Sequence, residues 1–284
     1  MQAEWLDVGY RPDVPRKYLQ ITDKATMVHH RGISTLPGEP PETSSGEIIL
    51  CLHDAGGNGN AFSEVLDQLS FSHTPVAYDQ PGHARSAGLD SLGSLELMAD
   101  HAEELCLKLA AKRVILVGDG LGAVLAFEIA ARGNIDVHGI VAFGDLDRDY
   151  DLRASISELE AITSGKARRQ FDQSGYSPNV SVEAKTKAFT EWVKTDPRTT
   201  VEDLRALSNW DGENKLSHVA CPVLLLIGEH TEETQTTTTN SLALSLTKCE
   251  ISTISDSGRR LLYEAPVQLA DAVTKFCSSV GASK

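Results

Sequence analysis

The segment Val114-Ile-Leu-Val-Gly-Asp-Gly-Leu-Gly-Ala123 constrains this chain more than any other. Four apolar residues read as a buried strand, and the small apolar run from Gly122 to Ala130 reads as a packed helix. Between them lies a turn of the form G-x-S-x-G, with glycines at Gly118 and Gly122. Only a sharp strand-to-helix reversal uses that spacing. The central position, where a serine, cysteine or aspartate would act as nucleophile, is Gly120. Without a hydroxyl, thiol or carboxylate there, covalent acyl or alkyl transfer has no starting group.

Strand and helix patterns alternate on both sides of this turn. Tyr18-Leu-Gln-Ile-Thr and Ala25-Thr-Met-Val-His-His predict an opening antiparallel hairpin within 17–33. A Pro/Gly-rich connection follows over 36–46. Ile48-Ile-Leu-Cys-Leu and Pro75-Val-Ala-Tyr read as strands, with a short helix over 61–69 between them. A longer helix over about 95–109 places Leu95, Met98, Ala102, Leu105 and Leu109 on one face. Residues 137–143 supply another strand. The pattern then changes to charged helices without strands over 147–218, including 152–162, 182–193 and 201–207. It resumes with Val223-Leu-Leu-Leu-Ile, a helix near 241–246, a strand over 250–254 and a final helix over 267–276.

Continuous apolar strands alternating with amphipathic helices imply a mostly parallel, doubly wound sheet covered on both faces. The predicted organisation is an α/β core formed by 1–146 and 219–284. A helical cap over 147–218 then covers the carboxyl ends of the strands, where such folds bind ligands.

Charge and cysteine usage narrow the function classes. Lys plus Arg number 26 against 40 Asp plus Glu, a net charge of −14. Such a chain repels phosphate backbones and anionic lipid surfaces, so no nucleic-acid or membrane partner is expected. The five cysteines are scattered and never form C-x-x-C, which predicts neither a disulfide framework nor a zinc site. No secretory pattern opens the sequence and no stretch approaches the ~20 apolar residues needed to span a bilayer, so a cytoplasmic protein is expected.

Several further motifs occur in a fixed order. His53-Asp-Ala-Gly-Gly57 follows the strand at 48–52, and Asp79-Gln-Pro-Gly-His-Ala-Arg-Ser86 follows the strand at 75–78. The Gly120 turn, the helical block, Gly228-Glu-His-Thr231 and Ser257-Gly-Arg-Arg260 come next. Together these resemble the α/β-hydrolase superfamily, in particular its capped branch of epoxide hydrolases, dehalogenases and carbon–carbon bond hydrolases. The resemblance covers about 17–277 and implies an α/β-hydrolase fold with a helical cap between two late strands.

The resemblance also implies a triad of nucleophile, acid and histidine, the acid orienting the base that takes the nucleophile's proton. Here the three positions read Gly120, Thr231 and Arg259. Threonine carries no charge, and arginine stays protonated at any working pH. Asp145 or Asp147, after the preceding strand, could supply an acid as in some family members, but no histidine follows for it to orient. Asp54 stands where the family's oxyanion loop has glycine, and a carboxylate there opposes a developing oxyanion.

These departures leave His53, Asp54, Asp119, Gly120, Leu121, Asp145 and Arg259 as candidate pocket residues. Arg259 is expected to pair with Asp54 or Asp119, or to hold a ligand carboxylate or phosphate through its planar fork; the plainer expectation is that these side chains turn outward. His53 and His83 read as turn-shaping residues that could serve as acid or base if they faced the pocket. Glu229 and His230 could reach the pocket rim. Phe171, Tyr176, Phe189, Trp192 and Trp210 supply aromatic surface to the cap, for packing or for lining an apolar ligand.

Gly118-Asp-Gly-Leu-Gly-Ala123 also fits a dinucleotide fingerprint, but it lies at the wrong strand, and Asp145 falls beyond the usual ribose-binding offset. No cofactor and no metal is expected. Two function classes follow. In one, a pseudoenzyme lacking the triad binds a small molecule under its cap or a protein partner on its surface. In the other, a lyase, isomerase, cyclase or atypical hydrolase works through Asp54, Asp119, His53 and Arg259.

Overall fold

The computed structural model describes residues 5–6, 16–30, 46–146 and 152–281. The 36–45 connection and 147–151, including Asp147, lie outside the described residues. The described strands form one nine-stranded sheet of order β1-β2-β3-β5-β4-β6-β7-β8-β9. In chain order these are β1 (Trp5–Leu6), β2 (Arg16–Ile21), β3 (Lys24–His30), β4 (Glu47–Leu52), β5 (Pro75–Tyr78), β6 (Arg113–Asp119), β7 (Val137–Phe143), β8 (Val223–Gly228) and β9 (Cys249–Ile254). The expected hairpin is β2–β3, pairing Tyr18 with Met27 and Gln20 with Ala25. From β5 to β9 every neighbouring pair runs parallel.

Parallel strands buried on both faces send alternate residues to opposite sides. Ile48, Leu50, Leu116, Ile140 and Leu225 meet α2 (Leu95–Lys108) and α3 (Leu121–Arg132) through Met98, Leu105, Leu125 and Phe127. Ile49, Cys51, Val117, Phe143 and Leu226 face the other way. They meet α1 (Ser63–Leu69) and α10 (Pro266–Gly281) through Leu66, Leu69, Leu269 and Val273. Each fully buried Leu, Ile or Phe of these two cores contributes roughly 1.5–3 kcal/mol, so the sheet is held rigidly at its centre. That rigidity fixes the carboxyl ends of β4, β6 and β7, where the candidate residues sit.

Four helices lie between β7 and β8: α4 (Leu152–Thr163), α5 (Val182–Trp192), α6 (Pro197–Ser208) and α7 (Gly212–Leu216). The α6 helix begins earlier than the apolar spacing from Val201 predicts. Asp196 caps it by accepting the Arg198 N–H, and Pro197 supplies a first turn whose missing N–H needs no partner. After β8, α8 (Glu233–Leu244) runs through the threonine tract that carries no helical periodicity. Thr237, Thr238 and Thr239 donate their hydroxyls to the carbonyls of Glu233, Thr234 and Gln235, so the backbone stays helical despite β-branched residues. A short helix, α9 (Leu261–Glu264), precedes α10 and closes the loop after β9.

Buried polar contacts fasten α6 and the α6–α7 segment to the core. Asp203 of α6 accepts the His83 Nε2–H at 2.8 Å, the Gly56 N–H at 2.8 Å and the Ser91 hydroxyl at 2.6 Å. Glu128 of α3, fully buried, accepts from the Trp210 indole and the Lys215 ammonium. Trp210 therefore serves packing and anchoring, away from the pocket.

Candidate active site

Two close approaches shape the turn after β6. A Cβ on Gly122 would collide with the Leu52 carbonyl, so only glycine lets α3 leave so near β4. Gly120 adopts φ 51° and ψ −113°, a combination that residues with a side chain reach only under strain. A Cβ there would stand 2.5 Å from Asp54 Cγ and closer still to its Oδ1. The space above Gly120 is therefore filled by the Asp54 carboxylate.

Asp54 follows β4. Its Oδ1 accepts the Ala55 N–H at 2.7 Å and the Leu121 N–H at 3.0 Å. The Leu121 N–H opens α3, so the helix dipole adds to the attraction. In G-x-S-x-G enzymes of this architecture, the N–H after the nucleophile and one from the loop after the oxyanion strand form the oxyanion hole. Here a side-chain carboxylate sits in that cradle. Burial lifts the Asp54 carboxyl above the usual range, against the pull of those N–H groups and Arg260.

Asp119 ends β6 and lies against Gly144, whose missing side chain gives it room. Among the described residues its carboxylate has no hydrogen-bond partner. Burial, followed by the neighbouring Asp54 charge, holds it well above the ordinary carboxylate range. The two aspartates thus behave as a pair that resists carrying two negative charges.

His53 lines the same space but has no nitrogen to spare. Its Nε2 accepts the Gln80 N–H at 3.1 Å, so Nδ1 carries the proton and donates to the Asp54 carbonyl at 2.8 Å. Burial, then the nearby His83, lowers its pKa to about 4. The acid or base role conceived for His53 is not carried by this geometry; it is a neutral brace for the loop. His83 donates from both nitrogens, to Asp203 and to the Pro81 carbonyl. Burial disfavours its charge, but Asp203 outweighs that and holds the imidazolium.

Arg259 departs from its expected pairing. Its guanidinium reaches Asp145 and Asp172 at 3.5 Å each and donates to the Ser174 hydroxyl at 2.9 Å, not to Asp54 or Asp119. The cause is local: the Arg259 N–H donates to the Gly175 carbonyl, which lays the side chain along that segment. The next residue takes the inward place. Arg260 pairs with Asp172 at 3.0 Å, and the charges of Asp54 and Asp119 overcome burial to keep it firmly protonated. Sequence reasoning reached the Arg259-Arg260 pair but weighted only the first. Asp172 was hidden because it comes from the segment between α4 and α5.

His53, Asp54, Asp119, Asp145, Asp172, Arg259 and Arg260 line a cavity of about 370 Å³ together with Phe171, Tyr176, Trp192 and Tyr263. The expected pocket residues Gly120 and Leu121 lie behind Asp54 and do not line it, nor does His83. Arg169 lies over the Trp192 ring at 3.9 Å. Phe189 packs on Phe171 but is 46% exposed on the outer side. Thr231, His230 and Glu229 do not line this cavity. Thr231 keeps a buried hydroxyl without a hydrogen-bond partner. Glu229, His230 and Asp256 meet instead at the surface, their ligand atoms within 4.8 Å of one another. All three are exposed, and Glu229 already accepts the Asp256 N–H, which accounts for the cluster as loop closure.

Residues 49–272 match the family described as "Alpha/beta hydrolase family", a range that takes in the sheet from β4 to β9, the inserted helices and the first part of α10. The chain belongs to the alpha/beta hydrolase family.

Several named relatives of this chain are hydrolases. It is 32% identical to the uncharacterized hydrolase YraK of Bacillus subtilis over 34% of this chain and 36% of that one. To the (E)-2-((N-methylformamido)methylene)succinate hydrolase of Acinetobacter baylyi it is 25% identical over 66% of this chain and 73% of that one. The chain thus spans about a third of the length of YraK. Among solved structures, a thermophilic esterase from Thermogutta terrifontis superposes with a TM-score of 0.74 at 15% identity, covering 99% of both chains. The enol-lactonase from Burkholderia xenovorans LB400 gives 0.70 at 16% identity, covering 94% of this chain and 100% of that one. At such identity these two establish the fold alone. Among the described residues no helix is long and apolar enough to cross a membrane.

Proposed function

We propose that this α/β-hydrolase-fold protein is a pseudoenzyme that binds a small molecule in the cavity beneath its helical insertion. One observation carries the reading: the Asp54 carboxylate accepts both N–H groups that would hold an oxyanion. A tetrahedral oxyanion would have to displace a carboxylate and then sit beside it, which like charge opposes. The rest of the site agrees. Gly120 offers no nucleophile, His53 has both nitrogens engaged, and the position after β9 where a histidine would act as base is Arg259, bound to Asp145, Asp172 and Ser174.

The cavity supports binding. Its volume of about 370 Å³ lies within the range of small-molecule pockets, ~300–1,000 Å³. Its walls combine aromatic and leucine side chains with a few placed charges.

The test has two arms. Purified protein should hydrolyse p-nitrophenyl acetate and butyrate at the rate of buffer alone, while a metabolite panel should contain compounds that raise its thermal midpoint. Saturable ester turnover lost in Asp54→Asn would sink the pseudoenzyme reading. A panel without any stabilising compound would sink the binding reading and favour a protein partner on the surface.

A second reading has one observation in its favour. The Asp119 carboxyl faces the cavity without a hydrogen bond among the described residues, and a carboxyl held above its usual range can pass a proton near neutral pH. That arrangement suits a lyase, isomerase or cyclase. It lacks a partner that would orient Asp119, so we place it second.

A further inference from the structure

The charged groups of the cavity are unequally matched. Five carboxylates line it (Asp54, Asp119, Asp145, Asp172 and Glu191) against three guanidiniums (Arg169, Arg259 and Arg260). Most of these already have partners. Asp54 rests on two backbone N–H groups, and Asp172 holds both Arg259 and Arg260 and accepts from Ser174. Asp145 meets Arg259, and Glu191 takes Lys194 and the Asn60 amide. Arg169 donates to the Trp192 carbonyl while lying over the Trp192 ring.

Asp119 stands apart. It presents an acceptor to the cavity and receives no donor from the described residues. Its neighbours leave that need open. Burial, and after it the nearby Asp119, pushes the Tyr263 phenol's pKa up, yet its hydroxyl forms no hydrogen bond among the described residues. Arg260 is committed to Asp172 and shared electrostatically between Asp54 and Asp119, without a hydrogen bond to either. The cavity therefore lacks a donor at the end of β6. An anionic ligand would meet an excess of carboxylates, and the Nε that Arg169, Arg259 and Arg260 each leave without a partner among the described residues is buried out of a ligand's reach.

From this we infer that the cavity takes a small organic amine, its ammonium group on Asp119 and its apolar body against Phe171, Trp192 and Tyr263. The inference rests on the ligand-binding reading above and names its ligand class. Aromatic faces favour a cation as well as an apolar body, so both halves of such a ligand are served. A cation also favours ionising Asp119, whose carboxyl burial and then Asp54 push well above its ordinary range. Asp145, Arg259 and Arg260 face the same group, and their mutual pairing leaves the local charge negative once Asp119 ionises.

Three probes of matched shape test this: phenethylamine, phenethyl alcohol and phenylacetate, titrated calorimetrically into the full chain at neutral pH. Phenethylamine should bind about tenfold more tightly than the alcohol, with phenylacetate weaker than both. Asp119→Asn should bring the amine down to the affinity of the alcohol. Trp192→Leu should weaken amine and alcohol together, which reports the apolar wall separately from the charge.

Tighter binding of phenylacetate, equal binding of amine and alcohol, or an amine preference that survives Asp119→Asn would each overturn the amine assignment while leaving a ligand-binding cavity. Failure of all three probes also overturns it. Ester turnover or an unresponsive metabolite panel would instead remove the binding reading itself, so the two failures are distinguishable.

Discussion

Restoring a serine at Gly120 should damage the protein, and removing Asp54 at the same time should repair part of that damage. A side chain on Gly120 enters the space of the Asp54 carboxylate, 2.5 Å from Cγ. The carboxylate must then leave the Ala55 and Leu121 N–H groups. Hydrogen bonds to a charged acceptor contribute about 1.5–3 kcal/mol each, but water from the cavity replaces part of this, so displacement costs about 2–3 kcal/mol. Backbone strain at φ 51°, ψ −113° adds about 1–3 kcal/mol. Gly120→Ser alone should therefore lose about 3–6 kcal/mol. Asp54→Gly alone should lose only about 1 kcal/mol, since the freed N–H groups face a cavity and the repulsion on Asp119 falls. In the double variant the strain remains and the collision is gone. Its loss should fall short of the summed single losses by about 2 kcal/mol, beyond the ~0.5 kcal/mol scatter expected for independent sites. Urea denaturation of the four proteins gives each value. Additive losses within that scatter would mean Asp54 does not fill the space above Gly120, and the argument would fail.

Asp119→Asn tests the buried carboxyl. Its folded-state pKa is raised, so the folded state binds a proton more tightly than the unfolded chain and stability falls as pH rises above the unfolded value of about 4. The asparagine variant should therefore melt higher than the parent at pH 7 and converge with it near pH 4; a lower midpoint at pH 7 refutes this. Asp203→Ala should cost about 3–5 kcal/mol, because it leaves the His83 imidazolium buried without its partner. The pair carries a pH signature in thermal melts. His83, raised, contributes fully below its unfolded pKa and loses that contribution as pH climbs through its folded one; Asp203, lowered, contributes above the ordinary carboxylate range and loses it as pH drops through its folded value. Arg259→Ala removes contacts to Asp145, Asp172 and Ser174, and should speed proteolysis within 164–180 relative to the parent.

The fold was legible wherever a segment is apolar and its neighbours are local. Strands at 48–52, 114–117 and 223–227 and helix α2 declare themselves through unbroken or 3.6-periodic hydrophobicity, since burial on the sheet dictates those residue types. Helix α8 was obscured because threonine hydroxyls satisfy the carbonyls one turn back, a device without apolar periodicity. At the site, Asp54, Asp119 and Gly120 stood out because each interrupts a recognisable turn. The partners of the neighbouring charged groups did not. Asp172 and Asp203 join the core from the helical insertion, Asp172 lying 87 and 88 residues before Arg259 and Arg260 and Asp203 lying 120 residues beyond His83, and no local pattern announces such a meeting. The side on which Arg259 and Arg260 fall depends on one backbone hydrogen bond to Gly175, which sequence does not display.

On the proposed pseudoenzyme reading, Asp54 links the loss of one chemistry to the survival of the scaffold. An oxyanion hole is a pair of N–H groups at the start of a helix, pointing into a cavity. Left empty of substrate, such groups need water or an acceptor. A carboxylate one residue beyond His53 meets that need permanently and draws on the same helix dipole that would have stabilised a transition state. Its charge then has to be balanced: Arg260 lies near enough to favour it, and the Asp119 carboxyl is pushed above its ordinary range beside it. Glycine at position 120 is the steric condition for the whole arrangement. On this view the altered positions are interdependent: reversing one leaves the others mismatched, and reinstating a nucleophile requires clearing Asp54 first. The coupling expected between Asp54 and Gly120 is the measurable form of that dependence.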